Sequence, residues 1–144
     1  MFEFGTDGPR SILVGVDGSD TSLRAGSYAA GLARRQGAEL VVLFVRTTGA
    51  AGARADLLVA AREAQDQVVA GLRETARTRS AELNLRVSFH ERSGNPYTEL
   101  VKLADELRVD AVVVGASTQA GHRFVGSLAA RLVRQARWPV TVVP

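Results

Sequence analysis

A chain of 144 residues, 46% hydrophobic and 23% charged, has the size and composition of one globular domain with its own core. No apolar run approaches the roughly 20 residues that span a bilayer, and zero cysteines exclude disulfides, thiol catalysis and Cys-ligated zinc. The net charge is +3, and of 18 basic residues all but Lys102 are Arg. They are spread along helices beside acids, as in Arg62-Glu63 and Asp105-Glu106-Arg108, rather than clustered with aromatics, which argues against a nucleic-acid partner.

Residues 1–10 carry acids and no apolar core, so they read as a flexible arm and not as a signal peptide, ahead of one domain over 11–144. A cytoplasmic location is expected. Ser11–Val16 is a short, branched apolar run, as in a buried strand. Asp17-Gly18-Ser19-Asp20 reads as a turn and a helix start, with Ser19 or Asp20 as N-cap. The helix over 21–36 places Ala25, Ala29 and Ala33 on one face and is stopped by Gly37. A second strand covers 40–45, and 46–54 is a flexible loop. In the long helix over 55–82, Leu57, Ala61, Gln65, Val68, Leu72 and Ala76 recur at helical spacing, which predicts a core-facing stripe.

Residues 85–90 alternate apolar and polar, as an edge strand does. Pro96 suits the first turn of a helix that turns Tyr97, Leu100, Val101, Ala104 and Leu107 inward. A strand over 111–114, a helix over 127–136 and a strand over 140–143 complete the chain. Alternating strands and helices predict a single-domain α/β fold, an open parallel five-stranded sheet with helices on both faces.

The most informative stretch joins the last three of these elements. A strand runs into Gly115-Ala116-Ser117-Thr118; Gly126-Ser127 then opens a helix, and Trp138-Pro139 leads to the final strand. A glycine loop before a helix presents free backbone N–H groups and the positive end of a helix dipole to an anion. Together with the opening Val14-Gly-Val-Asp17-Gly18-Ser19, and over about residues 10–143, this resembles the universal stress protein family. In its nucleotide-binding members the loop reads Gly, two residues, Gly, nine residues, Gly, Ser or Thr, and holds ATP phosphates. Here Thr118 stands at the second glycine and seven residues, not nine, separate it from Gly126.

The resemblance implies the strand order 3-2-1-4-5, with a topological switch point between Asp17-Gly18 and Gly115, where such folds bind ligands. It also implies ATP or another adenine nucleotide, with Mg accompanying it, and a homodimer through the last strand, Val140–Val143. Asp17, with Gly18 and Ser19, would face the adenosine, or would only form an Asx turn that supports Gly18. The Val45 backbone would meet an adenine edge. Gly115 permits close backbone approach or a positive φ. Gly126, Ser127 and Leu128 would offer the phosphate site, unless Ser127 is simply an N-cap. Thr118 either blocks a phosphate or replaces one contact through its hydroxyl, and Arg123 either pairs with phosphate or faces water.

Other chemistries lack their motifs. There is no Gly-x-x-x-x-Gly-Lys phosphate loop, no Gly-x-Gly-x-x-Gly fingerprint and no Gly-x-Ser-x-Gly elbow. His90 and His122 have no metal-ligand spacing. The expectation is a stress-response regulator that binds an adenine nucleotide, by a shortened loop that holds it more weakly or with fewer phosphates. Turnover is at most slow. The alternative is a family member without nucleotide that acts through its dimer surface. A nucleotidyl-transferring enzyme is disfavoured because His-containing adenylyl motifs are absent.

Overall fold

The computed structural model describes residues 8–48, 52–119 and 122–144, without the side chains of Gln119, His122, Arg123 and Phe124. The elements in chain order are β1 (Ser11–Val16), α1 (Asp20–Gln36), β2 (Glu39–Arg46), α2 (Ala55–Leu83), β3 (Val87–Ser93) and α3 (Pro96–Leu107). There follow β4 (Ala111–Gly115), β5 (Ser117–Gln119), β6 (His122–Phe124), α4 (Ser127–Gln135) and β7 (Val140–Val143). Five strands form one parallel sheet in the order β3-β2-β1-β4-β7. This is the expected 3-2-1-4-5 order, with β7 as the fifth strand of that sheet.

The strands are apolar at successive positions because both faces of the sheet are covered. Ile12, Val14 and Val16 of β1 pack with Ala25, Ala29 and Ala33 of α1 and with Val69 of α2. Leu13, between them, packs with Leu100 and Leu103 of α3 and Leu132 of α4 on the other face. Each such large side chain contributes about 1.5–3 kcal/mol on burial. The alanine stripe lets α1 lie close to the strands.

Local sequence sets the helix ends. Ser19 is the N-cap of α1, its hydroxyl accepting the Ser22 N–H at 3.3 Å, and Gly37 closes the helix at φ 66°. Asn95 caps α3 by accepting the Thr98 N–H at 3.1 Å, with Pro96 in the first turn.

Two expectations need correction, and one feature was not foreseen. First, β3 starts at Val87 and runs to Ser93, not over 85–90. Leu85 belongs to the close of α2: its N–H reaches the Ser80 carbonyl at 3.1 Å, and its side chain is buried. Second, the stripe of α2 is core-facing only in part. Val68, Val69 and Leu72 join the core, but Leu57 is 59% exposed and Ala61 is exposed as well. The helix outruns the sheet, so its first turns have no strands beneath them. The unforeseen feature is a strand pair within the glycine loop. Ser117–Gln119 pairs antiparallel with His122–Phe124, and these three-residue strands are too short to show a period.

Candidate functional site

The crossovers place β2 and β4 on opposite sides of β1. The chain passes through α1 to β2 on one side, and through α3 to β4 on the other. Such a reversal opens a crevice at the C-terminal ends of the central strands. A cleft of about 790 Å³ lies there, lined by the ends of β1, β2 and β4, by α1 and α4, and by Ala61, Ala64 and Gln65 of α2.

Asp17, Ser19, Val45, Gly115, Thr118, Gly126 and Leu128 all line this cleft. Residues 102 positions apart in sequence, from Thr118 to Val16's end of β1, meet because β1 and β4 are neighbours in the sheet. Gly18 and Ser127 are not among the lining residues. Arg123 pairs with Thr118 in the β5–β6 ladder, and its side chain lies outside the described residues.

The turn after β1 is held by its own side chains. Asp17 Oδ1 accepts the Ser19 N–H at 2.9 Å, forming the Asx turn. The Asp17 N–H donates to Ser22 Oγ at 3.2 Å, and Ser22 Oγ donates to the Ser19 carbonyl at 2.9 Å. Gly18 takes φ 89°, and a Cβ there would stand 2.9 Å from Val68 Cγ1. Burial alone would push the Asp17 carboxyl up; the hydrogen bonds from Ser19 and Ser22 outweigh it and hold the group below its ordinary value. Asp17 is therefore an anchored carboxylate at the cleft.

Gly115 is required by close approach, not by a positive φ. A Cβ there would lie 2.6 Å from the Thr21 carbonyl carbon and oxygen and 2.7 Å from the Ser22 nitrogen. The first turn of α1 thus packs directly on the end of β4. Gly126 is tight for another reason: its absent Cβ would overlap the Ser117 side chain, standing 2.9 Å from its Cβ. Gly126, not Ser127, is the N-cap of α4, with φ −76° and ψ 176°, and no side chain caps that helix. Its first-turn N–H groups are left for solvent or a ligand.

Val45 lies one residue past the last β1–β2 pair, Val16 with Phe44. The Glu39 N–H donates to Arg10 on the β1 side, and the Leu40 N–H to Arg86 on the β3 side. Backbone groups alternate along a strand, so those of Val45 point to the β1 side, beyond the end of that strand's pairing.

Among the lining residues that the sequence did not single out are Ser117 and Gln65. Ser117 fills the space beside Gly126, and Gln65 reaches from α2 to the strand end. Thr47 N–H donates to Gln65 Oε1 at 3.2 Å, and Gln65 Nε2 donates to the Thr47 carbonyl at 3.3 Å. The signal for Gln65 was a lone amide within an otherwise apolar stripe. Among the described lining residues Asp17 is the single ionisable side chain, and none is Lys or Arg. Arg46, next to Val45, is occupied by Glu91 and by Asp66, the latter at 2.6 Å. No group of three or more His, Cys, Asp or Glu among the described residues can hold a metal ion. No described helix is long and apolar enough to cross a membrane.

Known proteins of the same form give this arrangement its context. The Universal stress protein family model matches residues 9–144. The universal stress protein Rv1636 of Mycobacterium tuberculosis is 33% identical over 144 residues, a match covering 93% of this chain and 95% of that protein. The universal stress protein UspA from Lactobacillus plantarum superposes with a TM-score of 0.73 at 28% identity, covering 93% of this chain and 97% of that one. A universal stress protein solved in complex with cAMP gives a TM-score of 0.70 at 29% identity, covering 94% and 97%. On the family match over nearly its whole length, and on the fold that carries the cleft, this chain belongs to the universal stress protein family.

Proposed function

We propose that the cleft binds an adenine nucleotide of low charge, a monophosphate or a cyclic monophosphate in preference to ATP, and that the protein is a cytoplasmic stress-response regulator governed by it. The observation that carries this reading is the cleft at the switch point. Among the described residues it combines an uncapped α4 N-terminus with apolar walls and a single ionisable group. A helix N-terminus favours a phosphate through its free N–H groups and its dipole. In this reading Val45 meets the adenine edge, Asp17 the ribose hydroxyls, and Gly126, Ser127 and Leu128 the phosphate, with the Thr118 hydroxyl beside it and Arg123 as a further phosphate partner. The relative solved with cAMP supports the ligand class.

Charge decides the number of phosphates. Each further phosphate adds negative charge to a cleft whose described lining offers Asp17 and no cation, which in this reading leaves Arg123 alone to offset it. In partly apolar surroundings that repulsion is stronger than in water. A Mg ion bound to the nucleotide offsets part of that charge through its bonds to the phosphates. Calorimetric titration with cAMP, AMP and ATP, with and without Mg, tests the reading. Saturable binding of AMP or cAMP, tighter than that of ATP and lost in Gly126→Val, is expected. No heat with any of them would contradict it and leave the dimer surface as the working part.

The dimer belongs to the same proposal. β7 is paired by β4 on one side of the described sheet and forms its edge, and Val140–Val143 are only partly buried. An apolar edge of this kind is a template for a second copy. A dimeric mass by light scattering at micromolar concentration is expected, and a monomeric mass contradicts it.

A further inference from the structure

The two halves of α2 are held by different means. From residue 68 onward Val68, Val69, Leu72 and Leu83 are packed in the core. Over 55–67 every residue is exposed except Gln65, which is half-buried. Ala61, Ala64 and Gln65 of that half line the cleft. Beyond its continuity with the packed half, two side-chain links among the described residues tie it down. Gln65 makes its paired hydrogen bonds to the Thr47 backbone, and Asp66 meets Arg46 Nη2 at 2.6 Å. Arg46 is a fixed post, since Glu91 of β3 holds it and Arg73 Nη2 holds Glu91 at 3.2 Å.

A helical segment of this length is marginal without packing, and exposed segments of low contact density open at small free-energy cost. We infer that the first half of α2 is a movable wall of the cleft, latched by Gln65 on Thr47, and that a ligand in the cleft holds it closed. Leu57 and Leu58, 59% and 41% exposed, lie one turn before Ala61 on α2. They give closure over a ligand an apolar surface to remove from water. Gln65 is a positioning residue: it acts on the ligand by fixing the wall.

The effect of ligand rests on the nucleotide reading above, whereas the latch is measurable without ligand. Hydrogen exchange of the apo protein is expected to run at least about tenfold faster at amides 59–64 than at 72–80. Gln65→Leu keeps the bulk and removes both hydrogen bonds. It should accelerate exchange at 59–64 by a further factor of about three to ten, leaving 72–80 and the Tm unchanged. Saturating AMP should slow exchange at 59–64, and Gln65→Leu should speed AMP release. Equal protection along 59–80 in the apo protein, or no response at 59–64 to Gln65→Leu, overturns the latch. If AMP fails to bind at all, the nucleotide reading fails and the apo comparison still decides the latch.

Discussion

Gly115 and Ala61 line the same cleft, one from the sheet and one from α2. Gly115 is pressed on the backbone of Thr21 and Ser22, in a part of the molecule where neighbouring side chains of β1, β4 and α1 are buried. Ala61 stands exposed on a helix held locally by a pair of amide hydrogen bonds and an ion pair. In the proposed reading the sheet wall positions the ligand because it cannot relax, and the α2 wall admits it because little holds that wall. A binding cleft needs both properties, and here they are assigned to different elements.

The largest expected effect sharpens that contrast with two leucines. Leu103, fully buried against the sheet, should cost about 2–5 kcal/mol on replacement by Ala. Leu57→Ala in the exposed half of α2 should stay within about 0.5 kcal/mol. Urea denaturation of both variants measures the difference, and equal losses would break the comparison.

Two glycines give the next test. Gly115→Ala drives a Cβ into helix backbone, so a loss of about 1–3 kcal/mol is expected. Gly71→Ala, on α2 with nothing within 4 Å of the added carbon, should stabilise by about 0.5–1 kcal/mol. Thermal melts of the pair should move in opposite directions.

The smallest effect is electrostatic. Asp17 has its carboxyl lowered from 3.8 in the folded state, by hydrogen bonds that overcome burial. Its charged form therefore adds stability above the unfolded value of 3.8, and that contribution is lost as pH falls through the lower folded value. Asp17→Asn keeps an acceptor for Ser19 but loses the titration. The stability difference between wild type and Asp17→Asn should shrink as the pH falls below 3.8, and a constant difference would show that the Asp17 charge is not held as described.

The fold was largely legible because its signals are local: branched apolar runs, the Ser19 and Asn95 caps, Gly37, and Pro96 in a first turn. The strand order came from the family resemblance, since spacing alone does not encode it. Of the residues that line the cleft, Asp17, Val45, Gly115 and Gly126 were legible because they lie at strand ends or open a helix. What escaped depends on long-range geometry. Periodicity continues through Leu57 and cannot tell where the sheet beneath a helix stops. The partner that forces Gly115 is a helix backbone more than ninety residues earlier in the chain. The β5–β6 pair consists of two three-residue strands of mixed polarity, which carry no pattern. The place of Ser127 after the cap rather than at it turns on a single residue, within the usual uncertainty of helix ends.

The most direct test of the account is an amide NMR titration of the wild-type protein with AMP to millimolar concentration. Saturable shifts at Asp17, Gly115, Gly126 and Ser127, with β3 amides 87–93 unmoved, are the predicted result. Unchanged resonances at Gly126 and Ser127 with AMP, and again with ADP and ATP, would contradict it.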